Sequence, residues 1–591
     1  MKHIITKEDA KGLYERGLKA SLPSLRIEEY LAFYLCQELV VYIKSWTYGY
    51  LQFKMHVFSD LVIGNFLNHI ELFAGCGGLS LGLEQAGFEL ILANELSPMA
   101  AETFTYNFLK ENLDELAKLG GLSKQAFWIS SQFDSLTARL RENPFNYPSI
   151  GTGVTDIPQD VTKLKGKLIV GNIIQLNQLL NENFELLGKL RSGFDLGGID
   201  LISGGPPCQS FSMAGMRKKD CQKNSLPWEF SNFVELTQPK IALLENVTGI
   251  LRPFKEDGVS YYAWFEIAKA FAFKGYVPLC LHINARLAGV PQNRPRFVMI
   301  SIRHDIYQVL ENSFNEQEHQ LFSISHNFFN RVNSGQEVIF NELKYFDVTR
   351  TDDLLLYQNS FLKPLVGNPE VTVKEAIGDL RFEKKSPKSS FVKRLNSIFS
   401  NTLDKTKELK NHDRRNNGAL VQRRFRIYQI LLQCDTKFCK ELRDILKGES
   451  ELLSDDAWVA FKKFEYLGEN NDYVTFLNKP DFIKYLKRHP TKKQTQKALV
   501  ADSPAPAALS IPDDACHYDD HELRTLTVRE MARIQSFPDD FVFRSKITTG
   551  GKMRAFEVPQ YTQVGNAVPP LLGYALGKVI SDLLGRLSNN P

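Results

Sequence analysis

The hydrophobic positions of this chain fall into short runs separated by stretches that are long enough for a helix. The first runs are His69–Phe73 and Leu90–Glu95, with a Gly-rich turn and a helix-compatible stretch between them. Further runs follow at Leu168–Val170, Leu201–Ser203, Ile241–Leu244 and Phe297–Ile300. Strand-like runs that alternate with helical stretches are typical of βαβ units. The pattern therefore predicts an α/β domain with a mostly parallel sheet.

Two other parts of the chain have a different pattern. Residues 1–66 have apolar positions spaced for one buried helical face, so a helical extension is predicted there. Residues 303–520 show no alternation of strands and helices, and they are rich in Phe, Asn, Lys and Arg. This block contains three basic clusters, at Lys384–Lys388, Arg414–Arg426 and Lys484–Lys497. We therefore expect a second domain of another kind.

Composition agrees with a multidomain globular protein. The chain has 591 residues, of which 43% are hydrophobic and 24% charged, and this length exceeds what one core usually organises. The net charge is only +4, so any affinity for nucleic acid has to come from local patches. Its eight cysteines form no pairs with zinc-ligand spacing. We expect no metal.

The beginning of the chain has no apolar core typical of a signal peptide. The apolar run from Tyr30 to Ile43 is interrupted by Gln37 and Glu38 and is too short to cross a bilayer. Scattered free thiols suit a reducing compartment. We expect a cytoplasmic protein without a membrane segment.

One cysteine stands on a rigid loop directly after a strand candidate. The segment Ser203–Ser212 reads SGGPPCQSFS, with Cys208 after two prolines. Proline restricts its own backbone and that of the residue before it, and the glycines allow a sharp turn. A buried core cysteine would need none of these features. The loop therefore indicates a thiol that is presented as a nucleophile.

The Gly-rich turn has the features of a cofactor-binding turn. Phe73, Gly75, Gly77 and Gly78 lie between a predicted strand and a predicted helix, and Glu95 ends the next strand. Such a turn presents backbone N–H groups to a cofactor, while an acidic residue at that distance can hold a ribose. The glycine spacing departs from the dinucleotide-binding pattern.

Taken in order, these segments resemble the motifs of the cytosine-C5 DNA methyltransferases. Glu71–Gly78 is similar to the S-adenosylmethionine loop of that family, and Gly204–Ser212 is similar to its catalytic loop. The later motifs are matched by Glu245–Val247, Gly289–Arg296, Arg524–Asp539 and Gln563–Pro570. The resemblance implies a Rossmann-like, S-adenosylmethionine-dependent methyltransferase sheet with helices on both faces, a smaller target-recognition domain and the N-terminal helical extension.

The resemblance also implies an order of domains. After the extension at 1–66, the catalytic domain would span residues 67–302, with an insertion at about 108–166. The target-recognition domain would span 303–520. Residues 521–591 would return to the catalytic domain.

The family resemblance assigns roles to individual residues. It implies that Cys208 attacks C6 of a flipped-out cytosine, that Glu245 contacts N3 of the base, and that Arg296 and Arg294 hold its O2 edge and the nearby backbone. It also implies a set of residues that bind S-adenosyl-L-methionine: Phe73, Gly75, Gly77, Gly78, Glu95, Asn172, Ile173, Pro207 and Asn566.

Three features depart from the family pattern. Asn172 stands where the family often has Asp, although an amide oxygen can still accept a hydrogen bond from the adenine amino group. Leu96 stands where some members have an aromatic residue that stacks on adenine. The third departure is the insertion at about 108–166 together with the N-terminal extension. Neither has an assigned role, and for both the shaping of specificity and the binding of a partner stay open.

Double-stranded DNA is the substrate that the resemblance implies, and Arg414, Arg415, Arg423 and Arg424 are candidates for reading guanine. Three alternatives remain open. They are tRNA methylation by a branch of the same family, a non-catalytic DNA-binding homologue, and an orphan or phage methylase. We expect a monomeric, nucleoid-associated bacterial enzyme that modifies the sequence cut by a cognate restriction endonuclease, without stable binding to that enzyme.

Overall fold

The computed structural model describes residues 67–207, 225–256, 259–383, 386–400, 408–491, 497–507 and 515–588. Three features predicted from the sequence lie outside these ranges. They are the helical extension at residues 1–66, the thiol of Cys208, and the loop that follows it.

A nine-stranded sheet forms the centre of the described structure. The strands up to residue 347 are β1 (Leu67–Leu72), β2 (Phe88–Glu95), β3 (Ala126–Trp128), β4 (Lys167–Val170), β5 (Leu201–Gly204), β6 (Ile241–Val247), β7 (Phe254–Glu256), β8 (Val259–Tyr261), β9 (Tyr276–Asn284), β10 (Gln292–Asn293), β11 (Pro295–Arg303) and β12 (Tyr345–Asp347). The strand order in the sheet is β12-β9-β11-β6-β5-β1-β2-β4-β3. All neighbours are parallel except β11, which is antiparallel to both β6 and β9. The predicted α/β fold is therefore confirmed.

The order of strands determines where a ligand can bind. From β1 the chain continues to β2 on one side, and β5 later pairs with the other side of β1. In open α/β sheets, ligands bind at such a switch point, outside the carboxyl ends of the strands. Because β11 runs in the opposite direction, its amino-terminal end lies at this same edge, where Arg296 is paired with Val247.

Helices cover the sheet and its edges. They are α1 (Gly78–Gln85), α2 (Pro98–Phe108), α3 (Leu113–Lys118), α4 (Leu136–Arg139), α5 (Ile173–Glu182), α6 (Phe184–Arg191), α7 (Leu226–Thr237), α8 (Ala263–Phe273), α9 (His304–Glu311), α10 (Glu316–Asn333), α11 (Thr351–Gln358), α12 (Val373–Ile377) and α13 (Ser390–Ile398). Two of them begin with side-chain caps at the edge of the sheet described above. The hydroxyl of Ser97 accepts from the N–H of Ala100, and Asn172 accepts from the N–H of Ile174.

A second hydrophobic core lies in residues 419–516, which we call the helical module. Its elements are α14 (Ala419–Leu431), α15 (Thr436–Lys447), α16 (Asp455–Phe461), β13 (Tyr466–Leu467), β14 (Tyr473–Val474), α17 (Lys479–Lys487), β15 (Lys497–Ala498) and β17 (Ala515–Cys516). The short strand between them, β16 (Ala505–Pro506), instead pairs with β10 and buries Ala505 in the main core. Phe425, Leu442, Phe461 and Phe482 are buried in this second core.

The second core begins later in the chain than the predicted boundary at residue 303. Between 304 and 399, side chains such as Leu321, Phe346 and Phe391 are buried in the main core, and β12 adds an edge strand to the central sheet. The physical reason is that β9 and its neighbours have apolar surface which amphipathic helices from this stretch bury. Such helices produce no strand–helix alternation in the sequence.

The C-terminal segment contains α18 (Val528–Ile534), α19 (Gln560–Asn566) and α20 (Pro570–Ser588). Helix α20 packs closely on α1, since a Cβ atom at Gly82 would lie 2.3 Å from the backbone nitrogen of Tyr574. Helix α20 therefore lies against the helix that follows the Gly-rich turn. Within the described ranges, no single helix is long and apolar enough to span a membrane, although Gly551–Asn566 and Pro570–Leu587 pass that test as a pair bent by 66°.

Candidate active site

The Gly-rich turn lies between the end of β1 and the start of α1, and it is held by Glu95. The two carboxylate oxygens of Glu95 accept hydrogen bonds from the N–H of Gly75 at 2.8 Å and from the N–H of Ser97 at 2.7 Å. Burial raises the pKa of Glu95, and the backbone N–H donors oppose this shift. Phe73 and Gly75 have positive φ angles of 55° and 56°. A Cβ atom on Gly75 would meet no atom within 4 Å, so the turn borders open space.

The other two glycines of the turn are required for packing. A Cβ atom on Gly77 would lie 2.2 Å from the ring of Phe108, and one on Gly78 would lie 2.2 Å from the carbonyl oxygen of Val568. Both distances are far below any contact that a real side chain makes. Gly77 therefore allows the turn to pack closely on α2. Gly78 allows it to pack closely on the segment Gln563–Pro570, which we call the last motif.

The end of β4 lies beside the end of β2. Val170 is paired with Glu95 in the sheet, and the N–H of Gly171 donates to the carbonyl of Glu95 at 3.0 Å. Asn172 follows and caps α5, because its side-chain oxygen accepts from the N–H of Ile174 at 3.0 Å. The structure therefore brings Asn172 and Ile173 to the same edge as the Gly-rich turn and Glu95.

Glu245 and Arg296 form a buried ion pair near the carboxyl end of β6. The Arg296 Nε lies 2.7 Å from the Glu245 Oε1, and each residue is 8% exposed. Burial lowers the pKa of the Arg296 guanidinium, and the charge of Glu245 opposes this. The pair presents a fixed acid and a fixed cation at the edge where ligands bind in this fold.

The chain that leads to Cys208 passes over this ion pair. A Cβ atom on Gly205 would lie 3.1 Å from the Glu245 Oε2. The side chain of Asn246 donates to the carbonyl of Pro206 at 2.9 Å, and Pro207 is exposed. Asn246 was not among the predicted site residues, although its place directly after Glu245 was a signal that could have identified it.

Arg294 lies at the amino end of β11, and its hydrogen bonds reach the last motif. It donates through Nη2 to the carbonyls of Gly565 at 2.8 Å and Ala567 at 3.2 Å, and it is 3% exposed. Burial lowers its pKa well below the ordinary value for arginine. Asn566, between the two acceptor residues, is exposed. The structure therefore uses Arg294 to hold the turn that contains Asn566.

Gln563 is a second residue that the sequence analysis did not single out. Its Oε1 accepts from the Thr103 hydroxyl at 2.6 Å, and its Nε2 donates to the carbonyl of Met99 at 3.1 Å. These bonds connect α19 with α2. The signal in the sequence was its position at the start of the last motif.

A buried network of charges links the C-terminal segment with the residues on either side of the helical module. Arg524 forms two hydrogen bonds of 2.7 Å with the carboxylate of Glu530, and a further bond with Glu522. Arg533 pairs with Asp379 and Asp539. Both arginine side chains are nearly inaccessible to solvent, so these four charge-assisted contacts are strong and directional.

A cavity of about 560 Å³ adjoins the helical module. The residues lining it include Arg414, Arg415, Asn416, Gln422, Tyr473 and His521. Of the other two predicted guanine readers, Arg423 donates to the carbonyl of Glu469 at 3.0 Å, and neither it nor Arg424 is among the lining residues. In the part of the chain that the structure describes, no group of three or more His, Cys, Asp or Glu side chains could hold a metal ion.

Comparison with known proteins finds a family model that spans most of the chain. A model of the C-5 cytosine-specific DNA methylase family matches residues 67–138 and 177–582. The type II methyltransferase M1.HphI of Haemophilus parahaemolyticus is 25% identical over 519 residues, which cover 87% of this chain and 86% of that protein. The type II methyltransferase M.DdeI of Desulfomicrobium norvegicum is 26% identical over 519 residues, which cover 87% of this chain and 88% of that protein.

Among solved structures, a putative DNA modification methyltransferase encoded within a prophage of E. coli matches with a TM-score of 0.41 and 20% identity, over 88% of this chain and 99% of that one. The family model covers most of the chain and includes the Gly-rich turn, the Glu245–Arg296 pair and the last motif. The chain therefore belongs to the family of C-5 cytosine-specific DNA methylases, as the order of its motifs predicted.

Proposed function

We propose that this protein transfers the methyl group of S-adenosyl-L-methionine to C5 of a flipped-out cytosine in a specific duplex DNA sequence. We further propose that it is the modification enzyme of a restriction–modification system. The observation that carries the proposal is the buried Glu245–Arg296 pair beneath the Gly205–Pro207 segment, at the same sheet edge as Glu95 and the Gly-rich turn.

The residues at the turn fit the proposed cofactor. Glu95 lies at the end of β2, where an acid can accept from ribose hydroxyls, and the turn at Gly75 borders open space. Asn172 and Ile173 would flank the adenine, and Phe73, Pro207 and Asn566 would complete the binding site. When bound there, S-adenosyl-L-methionine supplies the methyl group.

The chemistry proposed for the protein begins at Cys208. Its thiolate adds to C6 of the cytosine, which forms a carbon–sulfur bond and makes C5 nucleophilic. Negative charge that develops at N3 is neutralised when the Glu245 carboxyl group, in its protonated form, donates its proton to N3, and Arg296 then pairs with the resulting carboxylate. After methylation, loss of the C5 proton to a base expels the thiolate, so the cysteine is regenerated.

Arg294 has a different part in this proposal from the one that the resemblance implied. Because its guanidinium binds the carbonyls of Gly565 and Ala567, we assign it to positioning the last motif beside the cofactor turn. Its Nε has no hydrogen-bond partner within the described residues. That donor is itself buried beneath the segment that Arg294 holds.

Sequence reading is assigned to the helical module and the loop before it. Arg414 and Arg415 line the cavity, where a guanidinium can bind the O6 and N7 atoms of guanine. Asn416 and Gln422 line the same cavity and have the amide groups that recognise adenine. We also propose that the protein acts as a monomer in the bacterial cytoplasm, and that it methylates nucleoid DNA which a cognate endonuclease would otherwise cut.

Base-resolution mapping of 5-methylcytosine tests the proposal. Plasmid DNA is isolated from cells that express either the unchanged chain or the Cys208→Ser variant, in which the hydroxyl retains the shape but cannot act as the thiolate. We expect methylation at one short motif with the unchanged chain only. Methylation by the variant would overturn the covalent route. Unmodified plasmid from both strains would favour either tRNA as the substrate or a missing partner.

A further inference from the structure

The insertion between α2 and β4 lies along the outer edge of the cofactor side of the sheet. Its strand β3 pairs with β4, and Ser131 forms a bridge with Val154. The side chain of Ile129 fills the space over the end of β4, because a Cβ atom at Gly171 would lie 2.8 Å from it. The insertion is therefore part of the wall beside Asn172.

Two adjacent residues of the insertion contact both sides of the proposed adenosine site. The hydroxyl of Tyr147 donates to the carbonyl of Leu96 at 3.3 Å. The carbonyl of Pro148 accepts from the Nε2 of Gln175 at 2.7 Å. Leu96 directly follows Glu95, and Gln175 lies in the first turn of α5, three residues after Asn172. Tyr147 and Pro148 thus connect the turn after β2 with the helix after β4.

Hydrogen bonds and an ion pair within the insertion hold its segments together. The carboxylate of Glu142 accepts from the hydroxyl of Ser131 at 2.6 Å and from the N–H of Gln132 at 2.9 Å. Arg139 pairs with Asp156 at 2.6 Å, and the side chain of Arg139 is 2% exposed. Because these bonds fix the insertion before any ligand binds, its contact with Leu96 costs little ordering at the moment of binding.

Burial also keeps Tyr147 a donor. It raises the pKa of this hydroxyl well above the ordinary value, so the group stays protonated throughout the neutral range. Deprotonation of Tyr147 therefore does not remove the hydrogen bond to Leu96 in that range.

We propose that the insertion is a wall of the cofactor's adenosine site and that Tyr147 is a positioning residue for the Glu95–Leu96 turn. The proposal rests on the proposed use of S-adenosyl-L-methionine. Leu96 offers less contact area to adenine than an aromatic side chain would. Because Tyr147 already holds the Glu95–Leu96 turn in its binding geometry, less conformational entropy is lost when the cofactor binds, and this offsets the smaller contact with adenine.

Calorimetric binding of S-adenosylhomocysteine to the full chain tests this inference. Tyr147→Phe removes one hydrogen bond, so the expected rise in Kd is about three- to tenfold. KM for S-adenosyl-L-methionine rises by a similar factor, whereas kcat and DNA affinity stay unchanged.

Tyr357→Phe is a matched control at the opposite edge of the sheet. The hydroxyl of Tyr357 also donates to a backbone carbonyl, that of Phe346 at 3.0 Å. Both variants should lose similar thermal stability, but only Tyr147→Phe should change cofactor affinity. Equal affinity of the two variants would overturn the positioning role while leaving the proposed function intact. An unchanged chain that binds no S-adenosylhomocysteine would overturn both.

Discussion

Replacing Glu245 by Gln tests the centre of the proposed mechanism. The substitution preserves the shape of the side chain but removes its charge and its ability to act as an acid. The carboxylate lies 2.7 Å from the Arg296 Nε, and both residues are 8% exposed. The amide leaves the guanidinium without its counter-charge in a site that water scarcely reaches.

Two effects of different size follow from this geometry. Loss of a general acid slows the chemical step by about 10²- to 10⁴-fold, which corresponds to roughly 2.7–5.5 kcal/mol in the activation free energy. Removing one partner of a buried ion pair also lowers the free energy of unfolding, by about 3–5 kcal/mol where burial is complete. The rate must therefore be measured at a temperature where the variant remains folded.

The assay is a single-turnover measurement of methyl transfer, with DNA affinity and the thermal midpoint determined on the same preparations. Glu318→Gln is the matched control, because Glu318 forms a 2.8 Å ion pair with Arg586 away from the site and is itself buried. We expect both variants to be destabilised and only Glu245→Gln to be slowed. An unchanged single-turnover rate in the Glu245 variant would refute the assignment of the acid.

Three further predictions concern the structure around the site. Burial raises the pKa of Glu71 from 4.5 to about 8, so folding takes up a proton between these pH values. The free energy of unfolding therefore declines as pH rises through that window, by at most about 1.4 kcal/mol per pH unit. Denaturant titrations of the Glu71→Gln variant should lack this pH dependence, and a pH dependence equal to that of the unchanged chain would contradict the prediction. Gly78→Ala places a Cβ atom 2.2 Å from a backbone carbonyl and should cost about 1–3 kcal/mol by thermal unfolding, whereas Gly188→Ala, in open space, should be neutral or stabilising. Arg524→Met should lower the free energy of unfolding by about 3–5 kcal/mol because it leaves Glu530 charged and buried. Chemical denaturation should show that the second substitution, Glu530→Leu, restores much of this stability. If it restores none, lost packing and not the unpaired charge causes the destabilisation.

Local features of the sequence were sufficient to predict the main strands and the Gly-rich turn. The runs at β1, β2, β4, β5, β6 and β11 were all predicted, because a strand that is buried on both faces requires a short apolar run, and a turn with positive φ angles favours glycine. Strand β9 was not predicted, because it contains Pro278 and proline argues against a strand in the interior of a sheet. Strands β3 and β12 have three residues each, too few for a recognisable pattern.

The sequence also determined which residue types stand at the ends of the strands, and hence the family to which the chain belongs. Only the tertiary structure decided which of these residues meet. Arg294 and its acceptor Gly565 are 271 positions apart, and Tyr147 and its acceptor Leu96 are 51 apart. Periodicity and turn chemistry act over a few neighbouring residues, whereas these contacts depend on how the insertion and the last motif pack on the sheet. The physical reason is that the partner of a side chain depends on which distant elements pack next to it, and a local sequence pattern does not determine that packing.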